Sequence, residues 1–442
     1  MNFTAKSYSG QYGSTQNVGD IIHIQMSPGP GNTTLDNKEV IFLIDISGSM
    51  HKSMKSVKSS MLAFRDCILE KTPQELEELE PNERDQLIRD KIKMRVITFS
   101  NEAKQVWSND HAERFEDVIV GLKSQSMTNM GDAIKLAFSL IDPNLYTWIV
   151  AMTDGESNKG PCRTAGSFQR LVTKKPLNAK IAALGYGQSF DPNVLDKVGD
   201  FVYVENPEMI PIVFGNLASE ICSTVYFNCV VDIFKKQPTE FNDDTIIVPE
   251  GEITEEKGRI IVGNRVFESL CAGKTYDFIY LPHGNHVCQV ILDQYRKIKI
   301  RYTDVTTRHS ENREIYVDHD IGDIPENIRK LYYEAKKNRT VYRLYKFLKK
   351  MDRDLLQKEI GRVLDTMKYW TEEISEPYKE EILQLLENIK NGSRRDRERL
   401  ASTALNTAVG TGYTEASDDN DTRLDISLSA THYYMESPLL NC

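Results

Sequence analysis

The chain has 442 residues, with 55 Lys and Arg against 65 Asp and Glu for a formal net charge of −10. At roughly 150 residues per domain it holds several domains, and 40% apolar with 27% charged residues exclude a fibrous or wholly disordered polymer. The acidic balance disfavours non-specific binding to nucleic acid or anionic membrane, and seven cysteines without a C-x-x-C pair are too sparse for a disulfide framework or a cysteine-rich zinc module.

Residues 1–35 read as an N-terminal segment. Its first twenty residues are polar, without the apolar run of a signal peptide, and no stretch of the chain approaches the ~18 apolar residues of a membrane span. With the sparse cysteines, this points to an intracellular, cytoplasmic protein. A strand over 21–25 is expected to pair with a sheet formed later, and the Ser27-Pro28-Gly29-Pro30-Gly31 run lacks the Gly-Lys-Ser/Thr ending of a phosphate loop, so it reads as a linker.

From 36 to 222 short apolar runs alternate with helix-length amphipathic segments, as buried parallel strands do with their crossover helices. Strands are predicted over 40–44, 94–99, 148–152, 181–184 and 201–204, and helices over 50–70, 111–122, 132–141, 162–173, 192–198 and 207–222. The fold class is therefore α/β, a doubly wound, mostly parallel sheet. The Glu- and Asp-rich stretch 72–91 reads as a solvated helical insertion. From 223 to 320 the rhythm turns to period-two alternation punctuated by Gly and Asn, predicting an antiparallel β-sandwich with strands over 229–234, 259–262, 276–281, 287–293 and 298–302. Helical periodicity returns over 321–410, through Ile328, Leu331 and Ala335, then Val341, Leu344 and Leu348, then Ile382, Leu386 and Ile389. Residues 411–442 form a polar tail.

The chemistry concentrates where the first of these strands ends. Asp45-Ile46-Ser47-Gly48-Ser49 places one carboxylate and two hydroxyls on a strand-to-helix turn at the carboxyl edge of the sheet. Two further elements converge on that edge: Thr128, opening the helix after Met127, and Asp154 in Thr153-Asp154-Gly155-Glu156, closing the 148–152 strand. Two carboxylates and three hydroxyls make a hard, all-oxygen donor set suited to octahedral Mg²⁺, with Mn²⁺ the second choice. Ser47 and Ser49 as helix caps and Asp154 as a turn residue would explain each singly, but not their coincidence.

These residues resemble the metal-ion-dependent adhesion site of the von Willebrand factor A domain: D-x-S-x-S, a distant Thr and a T-D-G loop. The likeness runs from Glu39 to about Cys222 and includes Leu184-Gly185-Tyr186-Gly187 with Asp191 beyond it. It implies that Asp45, Ser47 and Ser49 form the fixed corner of a metal site, that Thr128 and Asp154 bind directly or through water, and that Asp132 stands just outside the ligands. It also implies that the ion's open position accepts an Asp or Glu side chain of a partner protein. Two anionic ligands leave such a site near neutral, so a third carboxylate can replace water without large repulsion. The β-region and helices that follow resemble an arrangement found in some intracellular A-domain proteins.

Other constellations carry less. His283, His286 and Cys288 could ligate zinc, but the segment reads as a hairpin turn with no fourth ligand nearby. The arginines of Ser393 to Arg399 alternate with acids, and the tyrosines at 332, 342 and 345 fit core packing better than base stacking. The expectation is a scaffold or adaptor acting through metal-dependent protein binding, not an enzyme. Its rivals are a metal-dependent hydrolase using Glu156 or Asp132 as base, a ubiquitin-pathway component, and a structural subunit of a large assembly, viral and motor complexes included.

Overall fold

The computed structural model describes residues 1–11, 18–30, 34–69, 73–125, 127–155, 157–189, 192–204, 210–236, 259–281, 297–320, 324–350, 353–368, 373–391 and 424–427. After β1 (Asn2–Gln11) and β2 (Val18–Ser27), the chain builds a six-stranded sheet from β3 (Lys38–Asp45), β4 (Lys93–Phe99), β5 (Ala103–Ser108), β6 (Tyr146–Gly155), β7 (Ala179–Ser189) and β8 (Asp200–Val204). The spatial order is β5-β4-β3-β6-β7-β8, every neighbouring pair parallel except the β4–β5 hairpin at the edge.

Every residue of β3 is buried, which is what a strand covered by helices on both faces requires. Alternate side chains serve opposite cores. Val40, Phe42 and Ile44 pack with α1 (Met54–Leu69) and α8 (Ile210–Ser223), while Ile41 and Leu43 pack with α5 (Met130–Leu140), α6 (Ala165–Val172) and α7 (Pro192–Val198), numbering the helices in chain order. Phe42 meets Phe64 of α1 edge-on at 5.1 Å and lies over Phe214 of α8 at 6.2 Å between centroids.

The 72–91 stretch is helical, as α2 (Pro73–Glu77) and α3 (Pro81–Lys91), but it is not simply solvated. Leu76 and Ile88 join the core, and the buried Asp85 carboxylate accepts from Arg89 Nε at 2.6 Å and from the Phe115 N–H at 2.7 Å. That second bond caps α4 (Phe115–Gly121), satisfying an amide the helix itself leaves free. It accounts for a helix predicted from 111 beginning at 115.

Two further sheets follow the domain. One has the order β10-β9-β12-β13, from β9 (Thr224–Lys236), β10 (Arg259–Cys271), β12 (Lys297–Asp304) and β13 (Ser310–Tyr316), and is antiparallel throughout. The other joins β1 and β2 to β11 (Tyr276–Leu281), β14 (Asp318–Asp320) and β15 (Leu424–Ser427), parallel only where β1 meets β14. Ile22, Ile24 and Met26 from this sheet share one apolar cluster with Cys229, Val231, Ile298 and Ile300 from the first. Where one N-terminal strand over 21–25 was expected, two are present. The strand expected over 287–293, the 283–288 turn and the 393–399 arginines lie outside the described residues.

Helices α9 (Glu326–Lys350), α10 (Arg353–Met367) and α11 (Glu376–Asn391) interdigitate Val341 and Leu344 with Leu356, Ile360, Ile382 and Leu386. Among the described residues no helix is long and apolar enough to cross a membrane.

The four-stranded sheet docks through β10 on the amino edge of the parallel sheet: Tyr146 Oη, at the start of β6, donates to the Glu268 carbonyl at 2.7 Å, and Lys180 Nζ, at the start of β7, reaches Ser269 Oγ at 3.1 Å. At the same edge Lys38 Nζ, at the start of β3, donates to the Cys222 carbonyl of α8 at 2.7 Å. The strands' carboxyl ends, where Asp45 and Asp154 stand, point the other way.

Phe42→Ala should lower the unfolding free energy by about 3–5 kcal/mol, because it removes the ring joining two helices to the central strand. Urea titration at constant m-value reads this directly, and a loss below about 1 kcal/mol would contradict the packing described.

Candidate metal centre

Asp45 is the last residue of β3, fully buried, and its two oxygens are held by different elements. Oδ1 accepts the Ser47 N–H at 2.7 Å, closing the turn that carries both serines, and Oδ2 accepts the Thr153 hydroxyl at 2.5 Å from the neighbouring β6. The turn is pinned from below by the Ile46 N–H donating to the Phe99 carbonyl at 3.0 Å and the Gln125 N–H donating to the Ile46 carbonyl at 2.5 Å. Ser47 Oγ lies 3.0 Å from Ser49 Oγ, and the Ser49 hydroxyl donates to Asp154 Oδ1 at 2.6 Å. Four of the five predicted residues, Asp45, Ser47, Ser49 and Asp154, are thus linked by short polar contacts across the ends of β3 and β6.

Thr128 joins them less directly. It is buried just before α5, and its backbone is stitched to the segment beyond Asp154: its N–H donates to Asn158 Oδ1 at 3.0 Å, and its carbonyl accepts from the Asn158 and Lys159 amides at 3.1 and 3.0 Å. Among the described residues, no hydrogen bond joins the Thr128 hydroxyl to the other four. Asp132 faces elsewhere, accepting from Asn129 Nδ2 at 2.7 Å and from Lys135 at 3.2 Å. Glu156 lies outside the described residues.

Burial is the dominant influence on both carboxylates. It pushes Asp45 from its ordinary 3.8 up to about 6, against the hydrogen bonds from Thr153 and Ser47 and with the help of nearby Asp154. Asp154 is also pushed up by burial, partly offset by the Ser49 hydroxyl. Among the described residues Asp45 has only neutral donors as partners, so its charge is desolvated without a side-chain cation beside it. Such a donor set fits a small, hard divalent cation, which would supply the missing charge through oxygen ligands alone. Among the described residues no group of three or more His, Cys, Asp or Glu converges.

Three supporting residues carried no role in the sequence reading. Thr153 could have been found from register, since Ile44 paired with Met152 puts Asp45 beside it. Asn158 had no local signal. Asn129 caps α5 and donates to the Asn101 carbonyl at 3.3 Å, while Gly160, at φ +82°, packs so closely that a Cβ there would sit 2.2 Å from Asn129 Oδ1.

The sequence profile of the von Willebrand factor type A domain matches residues 39–206. No curated protein matches the chain by sequence. Among solved structures, the chain is similar to a von Willebrand factor type A protein from Catenulispora acidiphila, at 12% identity and a TM-score of 0.56, over 91% of this chain and 96% of that one. It is also similar to the ArnB paralog VWA2 from Sulfolobus acidocaldarius, at 13% identity and a TM-score of 0.48, over 92% and 98%. Proximal thread matrix protein 1 of the mussel byssus, in a form with a zinc-occupied MIDAS motif, matches at 15% identity and a TM-score of 0.34, over 43% and 49%. At these identities the likeness is one of fold.

Two outcomes are expected. Because the folded protein holds the Asp45 proton more tightly than the unfolded chain does, the metal-free protein should gain stability as pH falls through about 6 towards 4. On the way back up it should lose on the order of 3 kcal/mol. Melting curves in EDTA across that range test it, and a rise in stability with pH there would contradict it. Gly160→Ala should cost about 1–3 kcal/mol through the positive φ and the contact with Asn129, read by chemical denaturation.

Proposed function

We propose that the von Willebrand factor type A domain of this chain, residues 39–206, acts as a divalent-metal-dependent protein-interaction module. On this reading the protein is an intracellular scaffold or adaptor, not an enzyme. Such domains are generally protein-interaction modules. Asp45, Ser47, Ser49, Thr128 and Asp154 hold Mg²⁺, with Mn²⁺ as the alternative, and the partner presents an Asp or Glu. The two added sheets serve as a β-sandwich that carries the domain with its metal edge outward.

The observation that carries this reading is the Asp45 carboxylate, buried among neutral donors and joined through Ser47 and Ser49 to Asp154. A bound divalent ion supplies Lewis acidity towards one further carboxylate. The chain's own residues do the positioning. Ser47 N–H and Thr153 fix the Asp45 oxygens, Ser49 orients Asp154, and the Asn158 segment sets where Thr128 sits. Among the described residues Cys162, Cys229 and Cys271 are free thiols, which supports a reducing, intracellular setting.

Mg²⁺ should raise the melting temperature of the wild type, by an amount that grows with ion concentration, and Asp45→Ala should abolish the rise. Thr128→Ala and Ser47→Ala should weaken partner capture while leaving the fold largely intact. A pull-down in Mg²⁺ and in EDTA, with Asp45→Ala beside it, tests the function. Partners lost both in EDTA and with Asp45→Ala support adhesion through the ion, whereas partners unchanged by either leave a structural subunit. Hydrolysis of phosphoester or peptide substrates that disappears with Asp45→Ala would make the domain an enzyme.

A further inference from the structure

Among the described residues, the stretches that border the candidate site at the carboxyl edge of the parallel sheet are 46–52, 99–103, 122–125, 127–129 and 157–163. Their charged side chains, histidine apart, are Lys52, Lys123, Lys159 and Arg163 against Glu102, to which the same edge adds the candidate ligands Asp45 and Asp154 and, next along the sequence, Glu156. With Asp45 and Asp154 offset by a bound divalent ion, these loops present more cations than anions in a chain of net charge −10, so a carboxylate-bearing partner meets attraction there.

Two of these cations are anchored beside the candidate ligands. The Lys159 amide donates to the Thr128 carbonyl at 3.0 Å, so its side chain leaves the backbone next to Thr128. Arg163 is exposed, and its Nε donates to the Gly160 carbonyl at 3.0 Å, which fixes the guanidinium plane while leaving its terminal nitrogens available. Among the described residues neither side chain is paired with a carboxylate. Met127, 39% exposed and immediately before Thr128, is the large apolar side chain open to solvent in the same segments.

Building on the metal-dependent reading above, we propose that the partner's recognition element is an acidic segment with more than one carboxylate. One acid goes to the site of Asp45 and Asp154, a flanking Asp or Glu pairs with Lys159 and Arg163, and an apolar residue beside the first acid lies on Met127. Lys159 and Arg163 are then the specificity-determining residues, because they separate an acid-rich segment from an isolated acid that the metal site alone would accept.

The test titrates the full-length protein in Mg²⁺, by fluorescence anisotropy, with two short labelled peptides that share a central Asp-Leu pair, one flanked by Gly and the other by Glu. The Glu-flanked peptide should bind about tenfold tighter, as two surface ion pairs of ordinary strength allow. That advantage should collapse in the Lys159→Gln/Arg163→Gln variant and in about 0.5 M salt, and persist in Lys159→Arg/Arg163→Lys. Met127→Asp should weaken both peptides. Equal affinities for the two peptides in the wild type, or an advantage that survives the double Gln variant, would overturn this proposal while leaving the metal reading standing. Binding of either peptide that persists in EDTA or in Asp45→Ala would overturn the metal reading itself, and no metal-dependent binding of either peptide would overturn both.

Discussion

The constraint on which the site depends is the cost of keeping a carboxylate dry. Asp45 ends the most central strand of the sheet, and its burial disfavours the charged form strongly enough to push its proton affinity up by about two decades. Hydrogen bonds from Ser47 and Thr153 recover part of that cost without cancelling the charge. The local structure follows from this need. The turn after β3 must aim an amide back at Oδ1, β6 must present a hydroxyl at the same level, and the serines must stand where they connect one carboxylate to the other. In the function proposed above, a hard divalent cation completes this position.

The same sheet separates its two edges by role. At the amino edge Lys38, Tyr146 and Lys180 are spent on contacts with α8 and the following strands. At the carboxyl edge the loops after β3, α4 and β6 bond to one another, through Ile46, Gln125, Thr128 and Asn158. This division is a consequence of parallel topology, which brings all carboxyl ends together and leaves the crevice between them open. The added sheets can therefore enlarge the molecule without covering the loops.

What the sequence made legible was whatever rested on local pattern. The apolar run at 40–44 became β3, and the D-x-S-x-S turn, the Thr before a helix and the T-D-G loop came to lie on adjoining loops because each sits at a strand or helix terminus. What it hid depended on distant partners. The polar β1 reads as coil until β2 pairs with it, and β2 in turn places Ile24 beside Phe278, a strand contributed from beyond the whole parallel domain. The start of α4 moved because a carboxylate from the acidic insertion caps Phe115. β5 escaped notice because an edge strand in a hairpin needs only half-buried alternation, and its pattern in Ala103–Ser108 is weak. Within the site, Thr153 follows from strand register, whereas Asn158 does not follow from anything nearby in sequence.

The junction between the parallel sheet and the strands after it shows how a buried charge can be kept when no metal is needed. Lys180 is buried too, and burial works against its charge, yet Asp200 at 2.9 Å and Glu220 at 2.9 Å outweigh that cost and hold its proton well above the ordinary lysine range. Ser269 takes a further hydrogen bond, and the ammonium lies 4.5 Å from the centre of the Trp148 ring. Here the protein supplies every counter-charge from its own side chains, and the product is a fixed joint between β7, α8 and β10. At the opposite edge Asp45 receives a hydroxyl and an amide but, among the described residues, no cation. The contrast between two buried charges, one neutralised in full and one left half-served, argues that the deficit at Asp45 reflects the work of that edge and not a general tolerance of the fold for unpaired charge.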